Sequence, residues 1–172
     1  MAILLALWIF TRWSLKQDKG LTWLRLLDFV SIPTALAAGF IRVGNFINQE
    51  ILGTPTRLPW GVIFGHPADG SFPIARHPVQ LYEALFYFAV FFLLWRCSFN
   101  PKRLLSQGWL IGLFLVLVFA FRFFVEFVKE EQSYLLNGAF EVTMGQWLSV
   151  PFVLLGVCFL IYSCKQCRKF RC

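Results

Sequence analysis

The chain has 172 residues, 58% of them hydrophobic and only 15% charged, with a net charge of +7. A soluble domain of this length carries far more charge, so the composition points to an all-α, polytopic helical membrane protein built as a single transmembrane domain over residues 1–172. The surplus cations form no stripe on a groove-sized soluble fold, which excludes nucleic acid as a partner and leaves them to be read for topology.

In chain order, Met1 to Phe10 is apolar but shorter than the roughly 20 residues a spanning helix needs. It lacks the basic start and small-residue cleavage site of a signal peptide, so it reads as the end of a partial first helix. Arg25 to Phe46 reads as a full span, with Pro33 predicting a kink or restart and "TALAAG" supplying small residues for close helix approach. Residues 46–78 form a long loop region whose stretch from Asn48 to Pro78 holds five prolines and four glycines. Loops of that length are functional or disordered. Trp60, Phe64 and Phe72 favour an ordered outward-facing element, with "LPWGVIF" as a short strand. Three more spans follow, at Val79 to Trp95, Gly108 to Val128 and Thr143 to Ser163, which makes four full helices plus the partial one.

The basic residues set the orientation. Arg12, Lys16, Lys19 and Arg25 lie in the first connection, Arg96, Lys102 and Arg103 in the third, and Lys165, Arg168, Lys169 and Arg171 in the tail at 164–172. The connections between these regions hold few cations, so the positive-inside rule places the tail in the cytoplasm and the 46–78 loop outside. Of the five cysteines, Cys97, Cys158, Cys164, Cys167 and Cys172, four lie in or after the last apolar run. "CKQC" lacks a second ligand pair, so a reduced cytoplasmic tail explains it better than a metal site.

Arg42, Glu83, Arg122 and Glu126 fall within or at the ends of the spans. Ionisable groups there cost about 2.5–3.5 kcal/mol each on insertion scales and need partners or a polar cavity. Arg122 follows Gly108 by fourteen residues, or about 21 Å of helix in a core of about 30 Å. Arg42 follows Asp28 by the same distance, and Glu83 enters the same layer from the other side, six residues after His77. Arg122 and Glu126, at i and i+4, can form a private ion pair. Arg42 is then left over. Glu50 and Glu83 are available to balance it, or an anionic ligand can. A phospholipid phosphate is the anion at hand in that layer, and arginine binds phosphate through a planar fork that never loses its charge.

The stretch "RHPVQLYE" is a second polar cluster. Gln80, Glu83 and Tyr87 share one helix face beyond Pro78. His77 is a candidate base near neutral pH, and it also reads as a capping or interfacial histidine. Tyr82 fits an interface aromatic. Asn45, Asn48 and Gln80 can hydrogen-bond glycerol or ester oxygens. Gln146 opens the last helix and reads either as an interhelical hydrogen-bonder or as a ligand. Asp28 and Glu141 look like boundary charges.

Four blocks in order, "RVGNFINQEILGTPTRLPWGVIF", "RHPVQLYEALF", "FRFFVEF" and "TMGQWLSVPF", resemble the prolipoprotein diacylglyceryl transferases, bacterial membrane enzymes of lipoprotein biosynthesis. The resemblance covers nearly the whole chain. It implies transfer of the diacylglyceryl group of phosphatidylglycerol to the thiol of a preprolipoprotein lipobox cysteine, with release of glycerol phosphate and no metal or soluble cofactor. It matches Arg42 to a phosphatidylglycerol-binding arginine, and Asn45, Glu50 and Gly53 to functionally important signature positions. It also matches Arg122 and Glu126 to an essential arginine and its nearby glutamate. Arg76, His77, Gln80, Tyr82 and Glu83 match an outward-facing cluster. Ile41 stands where the signature has glycine. The family carries further amino-terminal helices and a His-Gly-Gly segment with no counterpart here, so the chain is expected to be truncated at its amino end and inactive alone. The expected site is therefore catalytic Arg122, Glu126 and His77 with substrate-binding Arg42, Asn45, Asn48, Glu50, Gly53, Arg76, Gln80, Tyr82, Glu83 and Gln146. A small-solute transporter and a non-catalytic membrane scaffold are the alternatives.

Overall fold

The structure is a computed structural model that describes residues 9–10, 22–100, 106–130 and 143–169. Most of the Met1–Phe10 segment, the side chains of most of the basic residues used for orientation, Glu141 and Cys172 lie outside the described residues.

Among the described residues, four helices are long and apolar enough to cross a membrane. They are α1 (Trp23–Ile47), α2 (Val79–Ser98), α3 (Trp109–Val125) and α4 (Met144–Lys169). A 3₁₀ turn, Glu126–Val128, extends α3. α1 runs unbroken through Pro33, so the predicted restart does not occur. Thr22 caps its first turn by accepting from the Arg25 amide at 3.3 Å.

α1 packs along α2 and α3 along α4, and the two pairs meet through α1, α2 and α3. Ala35, Tyr87, Val90, Leu94, Leu110, Phe114 and Val118 form the shared core. In lipid, association of helices rests on van der Waals fit rather than on water exclusion. The crossing of α3 and α4 shows this: a Cβ added to Gly112 would stand 2.9 Å from the Gly156 carbonyl oxygen.

At one end of the bundle Asp28 is a structural group rather than a boundary charge. Its carboxylate accepts from the amides of Gly108 (2.7 Å) and Ile111 (2.8 Å). It thereby satisfies first-turn donors of α3 that would otherwise be orphaned in an apolar surround. Ser31 donates to the Asp28 carbonyl at 2.7 Å.

At the other end the loop is ordered, as its aromatic content predicts. β1 (Val62–Ile63) falls within the predicted strand and pairs antiparallel with β2 (Ala75–Arg76), in the register Val62↔Arg76 and Ile63↔Ala75. Isolated bridges join Pro55 to Arg76 and Gly53 to Lys129. The second bridge ties this loop to the end of α3. Position 53 also packs against the start of α2, where only glycine fits: a Cβ there would lie 2.4 Å from the His77 carbonyl oxygen and 2.5 Å from Val79.

Candidate active site

The C-terminal ends of α1 and α3 and the N-terminal ends of α2 and α4 meet beneath this loop. Each brings a polar side chain into a layer that the apolar helices would otherwise fill. Arg42 and Arg122 both line one cavity of about 260 Å³. The two guanidinium groups predicted to share a depth therefore also share a space.

Glu83 is completely buried and holds two cations. Its Oε2 lies 3.1 Å from Arg42 Nε, and its Oε1 accepts from Lys129 Nζ at 2.9 Å. Lys129 also stands 3.5 Å from Glu126 Oε2. Arg122 and Glu126 do not form the ion pair that their i, i+4 spacing allows. The reason is local. The α-helix ends at Val125, and the following turn is 3₁₀, where residues three apart eclipse. Glu126 is thereby presented to Lys129 instead.

Arg122 Nε is buried and makes no hydrogen bond among the described residues. Such a donor in a low-dielectric site is costly unless something else fills it. The charged set here, buried or half-buried, holds three cations, Arg42, Arg122 and Lys129, against two carboxylates, Glu83 and Glu126, so one positive charge is left over. The cavity also touches Glu130, whose carboxylate is paired with Arg76, so that pair adds no net charge.

The first residues of α4 complete the wall. Thr143, Met144 and Gly145 line the cavity, where a helix N-terminus adds positive potential. Gly145 is required by proximity: a Cβ there would come 2.5 Å from Glu126 Oε1. Gln146 does not line the cavity. Its Oε1 accepts from the Thr143 amide at 3.2 Å while its own amide donates to Thr143 Oγ1 at 3.3 Å. This capping box sets the helix start and occupies the amide oxygen proposed for a ligand.

The remaining predicted residues divide in two. Gln80 is fully buried and its Nε2 donates to the Glu50 carbonyl at 2.7 Å, so it acts on the signature loop. The Glu50 amide in turn donates to the Asn45 carbonyl at 2.8 Å. Glu50 forms no ion pair with another described residue. Asn48 is exposed at the C-cap of α1. Arg76 is buried and donates to the Gly53 carbonyl at 3.4 Å as well as to Glu130. His77 lies outside the cavity lining. Its Nδ1 is 3.4 Å from the Tyr82 hydroxyl, which also accepts from Trp60 Nε1 at 2.9 Å.

Sequence reasoning missed Lys129, Glu130 and Ile51. Lys129 looks like the first residue of a polar loop, and it is buried in the structure, bridged to Gly53 and paired with Glu83. Its one sequence signal is the position three residues after Glu126.

The family profile described as prolipoprotein diacylglyceryl transferase matches residues 1–162. A phosphatidylglycerol–prolipoprotein diacylglyceryl transferase of Protochlamydia amoebophila is 47% identical over 172 residues, which is all of this chain and 46% of that relative. Proteins of the same name from Tolumonas auensis and Chlamydia pneumoniae are 45% and 41% identical over 96% and 95% of the chain, and 60% and 56% of their own lengths. The chain thus spans about half the length of the curated relatives it matches. With a profile match over most of its residues and relatives of that name up to 47% identical along its length, the chain belongs to the prolipoprotein diacylglyceryl transferase family.

Proposed function

We propose that this chain carries the lipid-headgroup site of an enzyme that transfers the diacylglyceryl group of phosphatidylglycerol to the lipobox cysteine thiol of a preprolipoprotein. The observation that carries the proposal is the surplus of one positive charge in the cavity that Arg42 and Arg122 line. A phosphodiester is a monoanion, and it balances that charge. It also offers acceptor oxygens to the unpartnered Arg122 Nε.

In the proposed step the sulfur of the substrate thiol attacks the glyceryl carbon, and the thiol proton passes to the departing phosphate. A carbon–sulfur bond forms as the carbon–oxygen bond to phosphate breaks, and the phosphate leaves with the electron pair as glycerol phosphate. The charge that develops on the leaving phosphate is met by preorganised donors rather than by water, which is the larger part of electrostatic catalysis. Arg122 and Arg42 face the phosphate. Lys129 and Glu83 hold Arg42 in place, and Glu126 trims the local charge to a single positive unit. Arg76 fixes Glu130 at the cavity edge, and Gly53 bridges the loop to Lys129. His77, Tyr82 and Trp60 form an outer polar group on the face where the protein substrate arrives. Asn45, Asn48, Glu50, Gln80 and Gln146 shape the loop and helix ends around the site.

In this reading the protein sits in the bacterial cytoplasmic membrane with the 46–78 loop outside and the 164–172 tail in the cytoplasm, so the cavity opens toward outer-leaflet lipid. The test is a chimera in which this chain replaces the matching segment of the Protochlamydia relative. The chimera is expected to transfer a labelled diacylglyceryl group from phosphatidylglycerol to a lipobox peptide. Arg122→Gln in the same chimera is expected to reduce that transfer by about 10²–10³, the usual effect of losing a transition-state donor. An inserted, folded chimera without transfer, or undiminished transfer by the arginine variant, overturns the proposal.

A further inference from the structure

Ile51 is the oddest residue in the signature loop. Its φ is +54°, in the left-handed region, and Gln49 two residues earlier has φ +56°. A β-branched residue there is a true outlier, because its Cβ crowds the following carbonyl. Such a conformation persists only where the surroundings over-determine it, and it tends to occur at working sites.

The surroundings do over-determine it. The Gln49 amide donates to the Phe46 carbonyl and the Glu50 amide to the Asn45 carbonyl. Gln80 clamps the Glu50 carbonyl from a fully buried position. From the other side, the amides of His66 and Ala68 donate to the side chain and carbonyl of Gln49. Five hydrogen bonds from three parts of the chain thus fix Gln49 and Glu50, the two residues that lead into Ile51.

What the shape achieves is a wall. Ile51 lines the cation-rich cavity beside Arg42 and Arg122. It also lines a second cavity of about 260 Å³, whose other walls include Gln49, Glu50, Leu52 and Asp69. No other described residue borders both. The second cavity carries acidic groups and the first a positive surplus, so the partition separates opposite potentials as well as two spaces.

We infer that Ile51 is a specificity-determining residue. Held by the strained turn, its side chain limits the headgroup space to a compact anionic headgroup of glycerol size and shuts out larger polyol headgroups. Gln80 is the positioning residue that keeps the partition in place. This rests on the reading of the cavity as a phospholipid headgroup site. Trimming the partition to glycine joins the two cavities and also relieves the left-handed strain, since glycine adopts that conformation freely.

The experiment measures binding of phosphatidylglycerol, phosphatidylinositol and phosphatidylcholine to the purified chain in nanodiscs, together with thermal stability. The unaltered chain is expected to prefer phosphatidylglycerol to phosphatidylinositol by about tenfold or more, the scale at which a shaped apolar wall discriminates. Ile51→Gly is expected to bring the two anionic lipids to near parity without a collapse in the melting temperature. Ile51→Val, which keeps a branched wall, is expected to behave as the unaltered chain. If the glycine variant fails to fold, Ile51→Asn gives the same reading, because asparagine also tolerates the left-handed region. Equal binding of both anionic lipids by the unaltered chain overturns the inference, as does a preserved preference in the folded Gly or Asn variant. No preference for phosphatidylglycerol over phosphatidylcholine overturns the headgroup reading itself, and the inference falls with it.

Discussion

Lys129 decides the electrostatics of the site. Its ammonium neutralises parts of two carboxylates that belong to different segments, Glu83 on α2 and Glu126 after α3. Removing one partner of a buried pair leaves an uncompensated charge and costs about 3–5 kcal/mol. Lys129→Met is therefore expected to lower the thermal midpoint sharply and, by bringing the charged set to neutrality, to remove the preference for anionic lipid. Lys129→Arg keeps the charge and should recover both readouts. A methionine variant that melts and binds like the unaltered chain would show that the lysine is only a surface neighbour. Two residues at this scale were legible from sequence. Helix rise alone puts Arg42 and Arg122 at one depth, and the structure adds that both line one cavity. Lys129 was not legible, because its contacts are with Gly53 and Glu83, far away in sequence. Gln146 reads from sequence as an interhelical hydrogen-bonder or a ligand, because a polar residue at a helix start looks the same whether it caps or binds. Only the Thr143 contacts separate the two.

At the scale of the element, helix ends explain most of the polar residues. Asp28 uses both carboxylate oxygens on the start of α3. Asn offers a single side-chain oxygen, so Asp28→Asn should cost about 0.5–2 kcal/mol, the range for loss of an N-cap. Faster hydrogen exchange confined to the first turn of α3 would check it, and unchanged exchange would contradict it. Gly145 bears on function more directly. Gly145→Ala pushes a methyl group into the Glu126 carboxylate, which must then turn away from Lys129. The variant is expected to fold and to bind phosphatidylglycerol more weakly, and binding that matches the unaltered chain would remove Gly145 from the site. The failure of the expected Arg122–Glu126 pair also belongs here. Periodicity predicts partners only while the helix stays α, and the change to a 3₁₀ turn at Glu126 moves the partner from i−4 to i+3.

For the whole molecule, the four spans and the ordered loop were readable because apolar runs of about 20 residues and clusters of turn formers are strong one-dimensional signals. What joins the spans was not readable. The Gly53–Lys129 bridge, the Glu83 pairing and the partition at Ile51 are all contacts between distant segments, and no window along the sequence contains them. The proposed orientation has its own check. Cys164 is exposed near the end of α4, so in intact spheroplasts it should resist a membrane-impermeant maleimide that labels a cysteine introduced at Phe72. Labelling of Cys164 without permeabilisation would invert the topology and move the cavity to the cytoplasmic side.

The central claim is that Arg42 and Arg122 converge on one anionic lipid. The direct test is equilibrium binding of phosphatidylglycerol against phosphatidylcholine by the purified chain in nanodiscs, with Arg42→Gln, Arg122→Gln and the double variant. Both arginines acting on one phosphate predicts that each single variant loses most of the preference for phosphatidylglycerol. It also predicts that the double variant is little worse than either, because groups acting on one ligand do not add. Preference retained by both single variants, or two losses that simply add as from separate sites, would contradict the account.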